Sequence, residues 1–531
     1  MQNLVRFLVL SSLGLLTACN STVVSNAPPS NQAVKLFEVL DSKKLSALKV
    51  NPEVAPYLNT LINDRANVEV LPILITTSLV SPDTQAMTIP LSEKETVTFQ
   101  LRGAEPPAPD MVGWVGDVAP DRRQRFTLRS EMDFDPLKWI SLVREGEKVV
   151  GNIHVDGRLY RLDYVGDGKH VLIKVDESKL PPEAEPLLGP DSGRKDPAVG
   201  KQPQSAHSTI RVLLVSTLQS RAANPNYRMP FAQALQDANL YMKNSNVAIT
   251  YELAGFYDAD YDETGRAYFD QLNDMRLAKP FGPDLLRVRD ALRADLVSMY
   301  STAREYCGQA WLNASKAQGH SVVSCFGSLA HELGHNIGAD HNWHEGDPVR
   351  NPPYMYGYRY QAGTPRFSTQ MSYACNPACP RIPYHSNPDV TYEGIPVGTR
   401  EHHDVARRFN DRREVVANFY PNSLSVALSN SMRTCEFEHD VGGSSAVADK
   451  CDFFADKQIG IVTVVDVPEG VSFAISEGGK KWRSYRAKTF LPSLLVTPLK
   501  ADPAHYPNVE IIEGGEAMTG HVTTVSSSFG E

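Results

Sequence analysis

The run HELGHNIGADH, His331 to His341, limits the folds open to this chain more than any other stretch. His331 and His335 stand four residues apart, so on a helix both side chains leave the same face, one turn apart. The spacing therefore predicts a helix through them. Gly338 follows three residues later, and glycine readily takes the left-handed conformation that ends a helix. The chain can then turn sharply and let His341 reach back. Three neutral imidazoles and one open position make the catalytic form of a tetrahedral zinc site. Glu332, beside the first ligand, need not bind metal; it can face a metal-bound water and take its proton. The HExxH spacing alone arises by chance roughly 0.07 times in this length, whereas all five fixed positions arise roughly 2 times in 10,000.

Around this run the hydrophobic pattern changes character along the chain. In residues 65–176, WISLVREGEKVVGNIHVDGRLYRLDYVGDGKHVLIKV alternates apolar and polar positions. Asp156-Gly157 and Asp167-Gly168 sit where tight hairpins need positive φ, so this region predicts an antiparallel β domain. Residues 177–207 are rich in Pro, Gly and charge, with few large apolar side chains, and read as a linker open to proteolysis. From 208 to 421 the grammar becomes strand–helix alternation. TIRVLLVST is the continuous apolar run of a buried strand, and the alternation predicts a mixed, mainly parallel sheet. Near the end of this region Val405, Phe409, Val416 and Phe419 share one helix face. Residues 422–531 return to short β segments. The fold class is α/β (α+β): a catalytic domain carrying the metal helix, flanked by an N-terminal antiparallel β domain and a small C-terminal β domain.

Residues 1–18 join Arg6 to an apolar stretch and small residues, as a signal peptide does. The ending Leu16-Thr17-Ala18-Cys19 resembles a bacterial lipobox. That resemblance implies lipid on Cys19 and a membrane tether without a spanning helix; Asn20 after it implies the outer membrane. Residues 19–64 read as a tether. The net charge of -9, with no basic cluster, argues against a nucleic-acid partner. Six further cysteines, an even number in an exported chain, suggest disulfides. The sequence does not determine their pairing; neighbours (307 with 325, 375 with 379, 435 with 451) are the expectation.

HELGHNIGADH resembles the long zinc signature of the metzincin metalloproteases, HExxHxxGxxH. The resemblance implies zinc held by His331, His335 and His341, with Glu332 as general base. STQMSYA supplies Met371, which by resemblance is the methionine of the turn beneath the metal. Tyr373 lies where some branches place a tyrosine near the metal or the transition state. Other pieces are similar to the reprolysin-like branch, especially the bacterial peptidyl-Asp metallopeptidase-like group. YCGQAWLNA resembles its edge strand, which implies that substrate pairs along Gly308, Ala310, Trp311 and Leu312. GRLYRLDYVGDGKHVLIKVDESKLPP resembles its propeptide. The resemblance spans about residues 140–420, strongest at 300–400.

These features predict an exported, lipid-anchored zinc endopeptidase acting on proteins or peptides. An adhesion lipoprotein on the same scaffold is the alternative, disfavoured by the intact Glu332. A zinc hydrolase of other substrates is disfavoured by the Met371 turn together with the long signature. Oligomeric state leaves no signal. Arg359, Arg366 and Arg381 offer positive charge for acidic substrates, though solvated arginine is the plainer reading of each. His320, His344, His385, His402 and His403 read as surface or structural residues. No cysteine lies between Asn20 and Cys307 to block the zinc. If residues 20–206 act as a propeptide, latency needs another ligand or steric cover; otherwise they are retained, or cleavage in the linker releases the enzyme from its anchor.

Overall fold

The computed structural model describes residues 33–92, 94–118, 130–189, 203, 205–277, 284–420, 423–467, 471–488, 491–498, 508–515 and 518–529. The signal segment and Cys19 lie outside the described residues, as does most of 190–204.

The N-terminal region is a ten-stranded sheet, antiparallel except for one short parallel pair at its edge. The two Asp-Gly hairpins turn as their chemistry dictates, with positive φ at Asp156, Gly157, Asp167 and Gly168. Residues 33–64, expected as tether, are part of this unit. Leu36 and Phe37 are buried in its core, and the helix Ala55–Asn63 lays Tyr57, Leu58 and Leu61 on the sheet beside Val171 and Ile173. The sequence reads here as a tether running into a short helix; its strands of two or three residues are too short to show periodicity.

The catalytic sheet has six strands in the order Leu187–Leu188, Gly308–Leu312, His320–Val323, Leu296–Tyr300, Ser208–Ser216 and Ile249–Asp258. All neighbours run parallel except Gly308–Leu312 against His320–Val323. Ser208–Ser216 is paired on both sides, and Ile210, Val212, Leu213, Leu214 and Val215 are all fully buried, as a strand covered on both faces requires. The helices Leu329–Ile337, Arg228–Asn244 and Val405–Ala417 share one core against this sheet. Its outer strand, Leu187–Leu188, comes from the stretch that composition marked as linker.

The N-terminal sheet and the catalytic domain are joined by a real interior. Val115, Phe134 and Trp139 enter the same apolar cluster as Phe231, Leu235 and Tyr241 of the helix Arg228–Asn244. The polar part of this seam is buried as well. Gln236 Nε2 donates to Ser141 Oγ at 2.8 Å and to the Leu142 carbonyl at 3.1 Å. Asp237 Oδ2 accepts from Gln233 at 2.7 Å and Asn152 at 3.0 Å. Burial pushes the Asp237 carboxyl up to about 7, against hydrogen bonds that pull it down. Unfolded, the same group ionises near pH 4. Between these values the folded chain holds the extra proton, so stability falls as pH rises from about 4 to about 7 and levels off above. Asp237→Asn is expected to flatten this slope, read as melting temperature against pH. An unchanged slope would show that Asp237 does not titrate with folding.

Beyond residue 423 two sheets of four and five strands close on their own core, centred on Leu424, Val426, Phe473 and Ile475. An ion pair, Arg293 to Asp440 at 2.8 Å, bridges to the catalytic domain. The three disulfides join 307 with 325, 375 with 379 and 435 with 451, the neighbour pairing expected.

Candidate metal centre

The helix Leu329–Ile337 is buried along its whole length. Gly334 is required by what lies beneath it: a Cβ there would meet Met371 Sδ at 2.4 Å. Met371, itself fully buried, is thus pressed against the helix between its two histidines. Gly338 ends the helix with φ 118°, and the Gly338 and Ala339 N–H groups both return to the Gly334 carbonyl at 3.0 Å. Arg408 Nε donates to the Gly338 carbonyl at 3.0 Å and pins the turn. The chain then enters the strand Asp340–Asn342, where Asp340 accepts from the His341 N–H at 2.8 Å and pairs with Arg350 at 2.6 Å.

This path brings the three imidazoles together. Their Nε2 atoms lie 3.0, 3.0 and 3.1 Å apart. His331 Nδ1 donates to the Gln370 carbonyl and His335 Nδ1 to the Ala339 carbonyl, both at 2.8 Å. A carbonyl only accepts, so those tautomers are determined and the two Nε2 atoms carry bare lone pairs. Burial, with the neighbouring histidines, holds both rings well below the usual histidine value, in the neutral form that binds metal. Acceptors crowded this closely repel unless a cation lies between them. Two nitrogens each about 2.05 Å from a tetrahedral ion stand about 3.3 Å apart, close to the spacing seen. The donor set fits a metal ion.

Glu332 is fully buried and neither carboxyl oxygen has a hydrogen-bond partner among the described residues. Burial, with Glu183 beside it, pushes this carboxyl well up. Its position depends on Gly308, where a Cβ would meet Glu332 Oε1 at 2.5 Å. Gly308→Ala must therefore displace the carboxyl. It is expected to lower peptide hydrolysis about 10- to 100-fold, with bound metal retained, since misplacement by an ångström has costs of that size. Wild-type rates in this variant would mean that Glu332 needs no fixed position.

The other expected site residues are placed as follows. The strand Gly308–Leu312, Ala310, Trp311 and Leu312 included, is wholly buried and is not an open edge. Residues 182–188 cover it. The Cys307 N–H donates to the Pro182 carbonyl at 2.9 Å, the Ala184 N–H to the Gly308 carbonyl at 3.2 Å, and Leu187 and Leu188 pair in parallel with Trp311 and Leu312. Gln309 Nε2 adds a bond to the Glu185 carbonyl at 3.1 Å. Tyr373 sets its ring 4.0 Å from that of His341, tilted by 40°, but its hydroxyl donates to Glu185. Glu185 also faces His341 Nδ1 at 3.7 Å. Glu183 lies deeper, accepting from Ser328 Oγ at 2.7 Å with Arg381 at 3.9 Å. His320 and His385 are buried, and His402 stacks on Trp343, all apart from the three Nε2 atoms.

Glu183, Glu185 and Ser328 are the site residues that sequence reasoning missed. Arg359 and Arg366 donate to the carbonyls of Ala374 and Pro377, whereas Arg381, read as solvated, turns toward Glu183. A signal existed in PPEAEPLL. Pro181, Pro182 and Pro186 favour extended backbone, and two acids alternate along it ahead of two leucines.

A model of the family M12B reprolysin-like metallo-peptidases matches residues 230–342. A peptidyl-Asp metalloendopeptidase of Xanthomonas campestris pv. campestris is 35% identical over 324 residues, covering 58% of this chain and 75% of that protein. Two of the same name from Stenotrophomonas maltophilia are 32% and 31% identical, each over 58% of this chain and 76% of theirs.

Proposed function

Because this chain belongs to the reprolysin-like metallopeptidases and is a metalloendopeptidase, we propose that its ion is zinc, that Glu332 is its general base, and that it cuts proteins or peptides at acidic residues. The observation that carries the reading is the convergence of three Nε2 atoms with two of the opposite nitrogens tied to carbonyls. His331, His335 and His341 would hold the ion. The chemistry zinc supplies when bound is Lewis acidity toward the scissile carbonyl and toward water. Glu332, with both oxygens free of other partners among the described residues, takes the proton of the attacking water and returns it to the leaving amine. Substrate pairs along Gly308–Leu312 in place of residues 182–188. Once Glu185 has left, the Tyr373 hydroxyl is free to donate to the oxyanion. The preference for acidic residues is carried over from the relatives' names.

From the lipobox resemblance of Leu16-Thr17-Ala18-Cys19 we propose further that the protein lies in the cell envelope. Cys19 carries lipid and anchors it to the outer membrane. A cut within 177–207 would separate catalytic domain from anchor, although the buried seam with the N-terminal sheet must also part for release.

The test pairs metal analysis with hydrolysis of an unstructured protein. One zinc per chain is expected. Chelation by 1,10-phenanthroline is expected to abolish hydrolysis and added zinc to restore it, and His335→Ala is expected to lose the ion. Hydrolysis that survives complete removal of metal overturns the reading.

A further inference from the structure

Arg381 is tied to the turn that carries Met371. Its backbone neighbours are tied on both sides, with the Ser368 N–H donating to the Pro380 carbonyl and the Ile382 N–H to the Ser368 carbonyl, both at 2.9 Å. Its Nη2 donates to the Ser372 carbonyl at 3.3 Å, directly after Met371. The guanidinium thereby stands with Nη1 3.9 Å from Glu183 Oε1. Ser328, at the start of the metal helix, donates its hydroxyl to the same oxygen at 2.7 Å. A cation and a neutral donor thus close on one carboxyl.

The occupant is held as a substrate residue would be. Glu183 sits between Pro182 and Ala184, whose carbonyl and N–H bond to Cys307 and Gly308. Its side chain is only 10% exposed, and Oε2 is buried without a partner among the described residues. Its carboxyl lies within 4.8 Å of donor atoms of His331 and Glu332. A carboxylate next to Glu332 suffers repulsion and lost hydration; Arg381 at 3.9 Å and the Ser328 hydroxyl work against that cost without cancelling it. The Glu183 side chain here stands in for the side chain of a bound peptide.

We propose that Ser328 and Arg381 form the subsite that selects a carboxylate side chain, Asp or Glu, beside the scissile bond, and that Glu183 is its occupant in the intact chain. This rests on the peptidase reading above, and names the residues that read the acid. A pocket built to bond a polar group rejects an uncharged analogue strongly, because its own donors are then left unpaired.

The test uses the full-length zinc-loaded protein and a peptide series differing only by Asp, Glu, Asn, Gln or Lys at one position. Wild type is expected to favour acid over amide by about 100-fold in kcat/KM. Arg381→Gln is expected to shrink that ratio below about 10-fold, mainly through KM, with zinc content unchanged. Ser328→Ala is expected to weaken it about 10-fold. Arg381→Glu is expected to favour Lys over Asp, an inversion that mere loss of structure does not produce. Retention of the acid preference in Arg381→Gln overturns the proposal, and so does a wild type that cleaves without acid preference. A zinc-loaded Glu183→Ala, Ala184→Pro double variant, its cover weakened, that cleaves no peptide or protein overturns the peptidase reading instead.

Discussion

Glu332→Gln is expected to lower peptide hydrolysis by about 10³- to 10⁴-fold while the metal stays bound, because general-base catalysis is worth that much and an amide cannot take a proton. The substitution is nearly isosteric, so the packing against Gly308 survives. Neither carboxyl oxygen accepts a hydrogen bond from the described residues, so no structural bond is lost. Removing a buried acid from beside Glu183 leaves the fold as stable or more so. The measurement is kcat/KM on an unstructured protein, alongside zinc content and melting temperature. Loss of activity with loss of metal would show only that the site had collapsed. Wild-type activity in the variant would remove Glu332 from the mechanism.

The second large effect concerns residues 182–188. They lie along Gly308–Leu312 with Glu183 clamped by Ser328 and Arg381, so a substrate must displace them first. A covering segment on the same chain competes at an effective concentration in the millimolar range. In Ala184→Pro the N–H that donates to Gly308 is gone, and Glu183→Ala empties the clamp. Each lost interaction is worth about 1 to 2 kcal/mol. The double variant of the full-length protein is therefore expected to cleave about 30- to 700-fold faster than the full-length wild type. The readout is the initial rate on a short peptide, with zinc content held equal. Equal rates would mean that the segment leaves the cleft at no cost. This arrangement answers the missing cysteine: an extended segment with two glutamates covers the site where a thiolate would otherwise sit.

Much of the metal centre was legible because its geometry is local. The side chains of His331 and His335 share a helix face by spacing alone, and Gly338 reverses the chain within three residues of His341. The hairpins at Asp156-Gly157 and Asp167-Gly168 were legible for the same reason, each being set by a couple of dihedral angles. Residues 33–64 were not, since strands as short as Phe37–Val39 draw their hydrogen bonds from partners far along the chain. The close approach at Gly308 and Gly334 showed only once Glu332 and Met371 were placed against them.

What the chain's order of residues determined by itself was the metal-binding run, its helix, and the alternation of strand and helix around it. These follow from side-chain periodicity and the permissive φ of glycine, which neighbours in sequence impose on one another. Only the tertiary structure decided that PPEAEPLL fills the cleft and that Arg381, among three candidate arginines, faces the acid there. Proline and charge look alike in a solvated linker and in an extended segment docked on another strand. The difference lies in partners more than a hundred residues away, which supply the hydrogen bonds and the counter-charge.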